Sequence, residues 1–483
     1  MKIGLRLIIS IILILSIYFS SSGQNKIAEP EFHNWALKPP MGWNSWDCYG
    51  PTVTESEVKA NADFMAKNLR PFGWEYIVID IRWYVANDKA LGYNQTDPIY
   101  SIDEYGRFTP ALNRFPSAAN GAGFKPIADY IHSKGLKLGI HVMRGVPVIA
   151  VKNNLPVKGT KVTARDIFTD QAQCSWLKDM YTIVAEKKGA QEYYNSIMDM
   201  YASWGVDFLK IDDLSSPYHA SEIEMIRKAI DRSGRKIVLS TSPGPTPIEK
   251  IDHVIKNANM WRTVGDLWDN WNQLKEQFAV FNKWSSYIKP GTWPDGDMLP
   301  LGHIGIRAER GSDRMTKFTK DEQYTLMTLF SIFRSPLMFG GNLPDNDPFT
   351  NSLLTNKEVL NVHSRSINNR QLFNNNDKIA WTADDPVTGE KYLALFYIAD
   401  QKMLDRKRVD PNSPEPPDSV QVPVNLKDLG LGPNVSISNL WNGKDVGSFA
   451  GEFSPWVRRH GTGFYKLSAK RGKDFSKQKN ELN

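Results

Sequence analysis

Cysteine is nearly absent: Cys48 and Cys174 are the only two in 483 residues. Two thiols cannot build a disulfide framework; they either form one bridge or stand unpaired. No Cys/His cluster has metal-ligand spacing, and HEXXH, GXXXXGK(S/T) and GXSXG are all missing. That removes the sequence grounds for a zinc hydrolase, a P-loop nucleotide enzyme or a serine-elbow hydrolase. Dense Lys/Arg runs are also lacking in the body of the chain, so the net charge of +6 describes a mildly basic soluble surface with no nucleic-acid partner. The longest apolar run, residues 7–19 (LIISIILILSIYF), has 13 residues, short of the about 20 that a membrane helix needs. Lys2 and Arg6 precede it and SSSGQ follows, the layout of a secretory signal peptide over residues 1–23, with an uncleaved anchor as the alternative. No cysteine stands behind that run, so a bacterial lipoprotein anchor has no support. The expectation is a secreted or periplasmic protein with no membrane span after signal cleavage.

What is present is a large soluble chain, 41% hydrophobic and 23% charged, too long for one ordinary core. Aromatics reach 11%, with 15 Trp, which suits stacking against sugar rings and equally suits a large core. From about residue 40 to 345, short apolar runs alternate with amphipathic segments. YIVIDIRW (76–83), GLKLGIHV (135–142), VDFLKIDD (206–213) and KIVLSTSP (236–243) read as strands. SEVKANADFMAKNLR (56–70) and EIEMIRKAIDRSGR (222–235) read as helices. So many strand–helix units in series predict an α/β fold, a (β/α)8 TIM barrel. A doubly wound sheet competes, but no GXGXXG turn follows the first strand. After about residue 370 the texture becomes short alternating strands, such as KYLALFYIAD (391–400) and GTGFYKLS (461–468), which predict a C-terminal antiparallel β-sandwich domain. The expected boundaries are a barrel over 33–368, a sandwich over 369–468 and a basic tail, disordered, over 469–483. The polar, proline-rich RKRVDPNSPEPPDS (406–419) reads as a loop within the sandwich.

WGVDFLKIDD (204–213) sets charges into an apolar strand. Alternation gives Phe208, Lys210 and Asp212 one face, which in a barrel points inward near the carboxyl end. A lysine two residues before a carboxylate holds it ionised, as a nucleophile must be. An inert buried ion pair fits this strand equally well. Asp213 could cap the following turn, and Asp207 is expected at a solvent-facing strand start. A second acid is available in NMWRTVGDLWDNW (259–271): Asp266, near Arg262, is either that acid or a helix N-cap, and Asp269 is expected at the surface.

These segments occur in an order that resembles glycoside hydrolase family 27, the melibiase or α-galactosidase family, from about residue 36 to 345. ALKPPMGWNSW (36–46) is similar to the family's opening motif. WEYIVID, DEYGRF, NRFP and GFKPIADYIHSKGLKLGIH follow in family order. WGVDFLKID resembles the nucleophile strand, WRTVGD the acid/base segment, WPDGDML the seventh-strand motif, and DEQYTLMTLFSIFRSPLMFGGNL the last helix and strand. The resemblance implies Asp212 as nucleophile with Lys210 beside it, and Asp266 as general acid/base with Arg262. It implies Trp46 as a wall of the sugar site, and Asp80 and Asp297 as acids in the pocket. The implied reaction is retaining exo-hydrolysis of a terminal sugar on an oligo- or polysaccharide, through a covalent glycosyl-enzyme. No metal or organic cofactor is called for. Asp266 would have to carry a proton and Asp212 to lack one.

Departures from the family pattern bear on the sugar. Standard α-galactosidases end the second strand in two adjacent aspartates; here the pair is Asp80 and Ile81. Ser242 stands where a glutamate usually lies near the 2-hydroxyl, and His141 where a tyrosine usually ends GLKLGI. A long insertion (143–174) follows the third strand. Leu214 replaces the usual cysteine after the nucleophile, and Cys174 aligns with that cysteine's partner, so the resemblance implies a broken pair and a reduced Cys174. Arg82, Arg144 or His141 could compensate, and such cations would suit an acidic or sulfated sugar. An α-galactoside is the first expectation for the substrate. A β-L-arabinopyranoside, an α-N-acetylgalactosaminide or a modified galactose is the alternative, and a non-catalytic carbohydrate-binding protein the second.

Overall fold

The computed structural model describes residues 29–400 and 416–469. The expected signal peptide, the tail beyond residue 469 and most of the proline-rich loop lie outside the described residues.

Eight short parallel strands form the central sheet: β1 (Met41–Asn44), β2 (Tyr76–Ile79), β3 (Lys137–Met143), β4 (Phe208–Asp212), β5 (Val238–Thr241), β6 (Met260–Arg262), β7 (Trp293–Asp295) and β8 (Leu337–Phe339). Their spatial order is β7-β6-β5-β4-β3-β2-β1-β8. The ring closes through a parallel bridge of Leu299 with Phe339, where the Leu299 N–H also donates to Met338 O at 2.7 Å. The expected (β/α)8 barrel is therefore present. Its strands are apolar on both sides because both are covered. Tyr76, Val78, Phe208, Val238, Met260, Trp293 and Met338 fill the interior, so the barrel is a packed core with its polar groups at one end. Gly139 on β3 makes room for this packing: a Cβ there would stand 2.8 Å from Val78 and 3.2 Å from Phe208.

The outer helices follow the sequence signals. α1 (Glu55–Asn68) starts at a reciprocal cap between Thr54 and Glu57 and buries Val58, Ala62 and Met65, spaced four and three residues apart. α2 (Lys125–Ser133), α3 (Ala190–Trp204), α4 (Ala220–Ser233) and α5 (Trp271–Trp284) follow the next crossovers. α6 (Lys320–Phe333), capped by Thr319 and Glu322, is buried from Thr325 to Phe333 without interruption, because the second domain covers its outer face. The insertion after β3 supplies Val146–Pro147, Phe168–Thr169 and two short helices, and its strands pair with Met180–Ile183 just beyond it in a small sheet beside the carboxyl ends of β3 and β4.

The second domain pairs a six-stranded antiparallel sheet, Ile367–Asn375 through Thr462–Ala469, with two short two-stranded sheets across a core of its own. It is bound tightly to the barrel. Phe396 packs edge to face on Phe278 at 4.9 Å, and His460 stacks on Trp271 at 3.7 Å. His460 Nδ1 also lies 2.8 Å from Glu322 Oε1, and Trp441 Nε1 donates to Thr328 Oγ1 at 2.9 Å.

One local expectation is corrected and one extended. Asp207 does stand part-exposed at the strand start, but its carboxylate is engaged: it accepts the Leu138 N–H at 2.9 Å and meets His132 and Arg235 at 2.7 and 2.6 Å. It ties β3, α2 and the turn after α4 together at the amino end of the barrel. Asp269, expected at the surface, is buried, gripped by Arg314 at 2.7 and 2.9 Å and by the Lys317 N–H at 2.9 Å. Both partners lie too far along the chain for a local pattern to announce them.

Because the two domains share one apolar junction, Phe396→Ala should lower the unfolding free energy by about 3–5 kcal/mol and leave a single thermal transition. Calorimetry checks this; a barrel melting unchanged beside a separately lost sandwich would contradict it.

Candidate active site

Register brings the charged side chains together. In the β3–β4 pairing His141 lies opposite Lys210, and Met143 opposite Asp212. β2 ends immediately before Asp80, β6 ends at Arg262, and Asp297 follows β7 by two residues. All nine residues nominated from the sequence, Trp46, Asp80, His141, Lys210, Asp212, Ser242, Arg262, Asp266 and Asp297, line one cavity of about 500 Å3 at the carboxyl end of the barrel.

His141 joins two carboxylates. Its Nδ1 is 2.6 Å from Asp80 Oδ1, and its Nε2 is 3.1 Å from Asp212 Oδ1, an ion-pair contact without hydrogen-bond alignment. Lys210 Nζ stands 3.6 Å from Asp80 Oδ2. Burial works against charge on every member, but the partners outweigh it. His141 and Lys210 keep Asp212 below the ordinary carboxylate range and Asp80 further below it. Asp212 and Asp80 in turn raise His141 and Lys210 above their ordinary values. The imidazole thus faces a carboxylate from each nitrogen, the arrangement of an imidazolium.

The opposite wall centres on Arg262. Its guanidinium meets Asp297 Oδ1 at 2.6 Å, Asp266 Oδ1 at 3.2 Å and the Gly265 carbonyl at 2.7 Å. Burial, with Asp266 and Asp295 nearby, pushes the Asp297 carboxyl up despite that contact. One guanidinium is thus shared between Asp297 and Asp266. The two acids expected to do chemistry differ in setting: the Asp212 side chain is 10% exposed and that of Asp266 49%. Asp212 is fixed at the cavity floor, and Asp266 is open to solvent at its mouth. Asp266 caps no helix; Asn270 is the N-cap of α5.

Asp213 belongs elsewhere. It has φ +62 and turns from the cavity to Arg144, whose guanidinium takes the Asp213 carbonyl at 2.6 Å, its carboxylate at 2.8 Å and Glu222 at 3.2 Å. Burial nevertheless pushes the Asp213 carboxyl up to about 6. Arg144 is therefore no sugar-binding cation. Nor is Arg82, which is buried in ion pairs with Asp179 at 3.0 Å and Asp88 at 2.9 Å. Of the three compensating cations considered, only His141 reaches the cavity, which leaves an acidic or sulfated sugar without its two arginines. Cys48 and Cys174 are both buried and free, so the bridged alternative falls.

Several lining residues were not singled out from sequence: Asp47, Tyr93, Trp176, Trp268, Glu309 and Arg310. Tyr93 stacks on Trp46 at 5.9 Å and leans on Trp176 at 6.2 Å, while Arg82 sits 5.5 Å over the Tyr93 ring. This aromatic rim draws Trp176 from just beyond the insertion, and Arg310 lies over Trp268 at 5.9 Å on the other side. The high tryptophan content was the available signal, but it did not say which rings meet.

A family model described as alpha galactosidase A matches residues 38–153 and 151–365, and one for the alpha galactosidase C-terminal beta sandwich domain matches 375–467. The alpha-galactosidase of Cyamopsis tetragonoloba is 26% identical over 89% of this chain and 86% of its own. Among solved structures, a family-27 β-L-arabinopyranosidase from Geobacillus stearothermophilus is 50% identical, covers 92% of this chain and 100% of its own, and superposes with a TM-score of 0.87. A variant of it, 49% identical over the same shares with a TM-score of 0.86, was solved in complex with arabinose. A putative alpha-N-acetylgalactosaminidase from Bacillus halodurans is 46% identical over 89% of this chain and 97% of its own, with a TM-score of 0.78.

The electrostatics of the cavity floor yield a signed expectation. In Lys210→Met the Asp212 carboxyl loses one of the two cations opposing its burial, so it should titrate at higher pH than in the parent. NMR of carboxyl-13C aspartate reads this directly; an unchanged or lower midpoint would contradict it.

Proposed function

The chain belongs to glycoside hydrolase family 27 and is a glycosidase, and from that premise we propose a retaining exo-enzyme whose preferred terminal sugar is β-L-arabinopyranose. The observation that carries this choice is Ile81. Its apolar side chain, 2% exposed, lines the cavity directly after Asp80, where standard members of the family have a second aspartate. β-L-Arabinopyranose is α-galactose without its hydroxymethyl group. An apolar wall suits a ring carbon that bears only hydrogen, and a hydroxyl pressed against it would lose a partner at a cost of about 1–3 kcal/mol. The 50% identity to a β-L-arabinopyranosidase over nearly the whole chain supports the same choice.

In the proposed reaction Asp212 attacks the anomeric carbon while Asp266 donates a proton to the leaving oxygen. The glycosidic C–O bond breaks and a glycosyl ester forms on Asp212. Asp266, now a base, takes a proton from water, whose oxygen displaces Asp212 and restores the original configuration. His141 and Lys210 keep the nucleophile anionic, and the position of Asp266 at the cavity mouth gives it access to water and to the departing group. A second reading, an α-N-acetylgalactosaminide, draws on Ser242. Its Oγ is buried without a partner in the cavity wall, on the side the family resemblance assigns to the 2-position. We also propose that residues 1–23 direct secretion; the N-terminal mass of protein recovered outside the cytoplasm tests it.

The deciding experiment compares kcat/KM on p-nitrophenyl β-L-arabinopyranoside, α-galactoside and α-N-acetylgalactosaminide. The arabinopyranoside should be best, and Ile81→Asp should move the ratio toward galactoside by about tenfold or more. A parent that prefers galactoside, or a ratio unmoved by Ile81→Asp, would contradict the choice of sugar. Asp212→Ala and Asp266→Ala should each abolish turnover in folded protein; normal rates in either would sink the hydrolytic reading and favour a carbohydrate-binding role.

A further inference from the structure

The other acids of the cavity are engaged: Asp80 and Asp212 by His141, Asp297 and Asp266 by Arg262, and Glu309 by Arg310 at 2.6 Å. Asp47 is different. It is 1% exposed and lines the cavity, yet among the described residues neither of its carboxyl oxygens has a hydrogen bond or an ion pair. Buried polar groups are satisfied in the great majority of proteins, and a buried carboxyl left alone is costly. Its niche is specific as well. A Cβ at position 340 would stand 2.0 Å from Asp47 Oδ2, so glycine there leaves the space in which this carboxyl rests. The backbone around it is already fixed: Asp47 lies in the first turn of a short helix, Trp46–Tyr49, and its carbonyl accepts the Gly305 N–H at 2.8 Å. Nothing in that local structure calls for the acid.

We propose that Asp47 is a further substrate-binding residue, whose carboxyl completes its hydrogen bonding on a ring hydroxyl of the terminal pyranose. The inference rests on the reading of this cavity as a glycosidase pocket, and it concerns a residue for which the family resemblance implied no role. The electrostatic surroundings agree with it. Burial, followed by the nearby Asp297, raises the Asp47 carboxyl well above the ordinary range, with Lys210 the main opposing charge. A neutral carboxyl offers one O–H and one C=O, and a sugar hydroxyl both accepts and donates, so the two match without bringing a net charge. A carboxyl placed only for packing would behave oppositely: replacing it with an apolar group of similar size would relieve an unpaired buried polar group and leave the kinetics alone.

The test uses Asp47→Leu and Asp47→Asn, assayed on whichever glycoside of the panel the parent hydrolyses best. Asp47→Leu should melt at or above the parent temperature and yet show KM raised by about tenfold or more, with kcat changed less. Asp47→Asn keeps a donor and an acceptor and should recover most of that loss. Kinetics of Asp47→Leu within twofold of the parent, or an equal loss in both variants, would overturn the proposal. If Asp47→Leu does not fold, Gly340→Ala serves instead, because its methyl group enters the niche of Oδ2. It should reduce the rise in melting temperature produced by free L-arabinose or D-galactose, whichever stabilises the parent more; an undiminished rise would overturn the proposal. A parent that hydrolyses none of the panel would count against the proposed activity, while the monosaccharide melting shifts of the Asp47 variants would still decide the role of Asp47.

Discussion

His141 holds two buried carboxylates at one site, and the rest of the cavity floor depends on that contact. Asp80 and Asp212 could not both remain charged inside a packed barrel without a cation between them. Lys210 contributes from one side only, at 3.6 Å from Asp80. The β3–β4 register that sets His141 opposite Lys210 therefore does more than close a sheet: it delivers the charges that hold the Asp212 carboxyl below its ordinary range against a burial that pushes it up. Removing one partner from such a cluster typically costs about 3–5 kcal/mol because it strands the others. The packed interior beneath, with Gly139 leaving room for Phe208 and Val78, fixes the floor from which these side chains project.

Around that floor, recognition and support are built from different residues. Arg144 and Arg82 resemble ligand-binding cations in sequence, but each is spent on structure. Arg144, at the start of the insertion, ties it to the segment after Asp212 through Asp213 and to α4 through Glu222, in a region where Cys174 has no cysteine partner. Arg82, with Asp179, holds the loop that presents Tyr93 to Trp46. The cavity thus has an ionic floor, an aromatic rim and apolar lining residues, Ile81 among them. Its departure from the family pattern lies at Ile81 and Ser242, while Asp212 and Asp266 both line the cavity.

The repeated strand–helix units and the antiparallel C-terminal region could be read from periodicity, because local pattern reflects which faces are buried. The face shared by Lys210 and Asp212 could be read the same way. What could not be read were contacts across the fold. Asp207 and Asp269 looked like surface acids because their partners Arg235 and Arg314 lie 28 and 45 residues away. Trp176 and Tyr93 gave no local sign of meeting at the cavity rim. Asp47 sat unnoticed directly after the opening motif, since only the folded structure reveals that it lacks a partner. Specificity was the least legible property: Ile81 was visible as a departure, but its meaning depended on the cavity it faces.

The proposed mechanism turns on Asp212 being the anionic nucleophile of a retaining reaction, distinct from its neighbour Asp213. The most direct measurement is to trap the intermediate with a 2-deoxy-2-fluoro-β-L-arabinopyranosyl fluoride and locate the adduct by peptide mass spectrometry. One added fluoropentosyl group per chain, carried on Asp212, is expected. An adduct on Asp213 or Asp266, or no adduct alongside an inverted product, would contradict it.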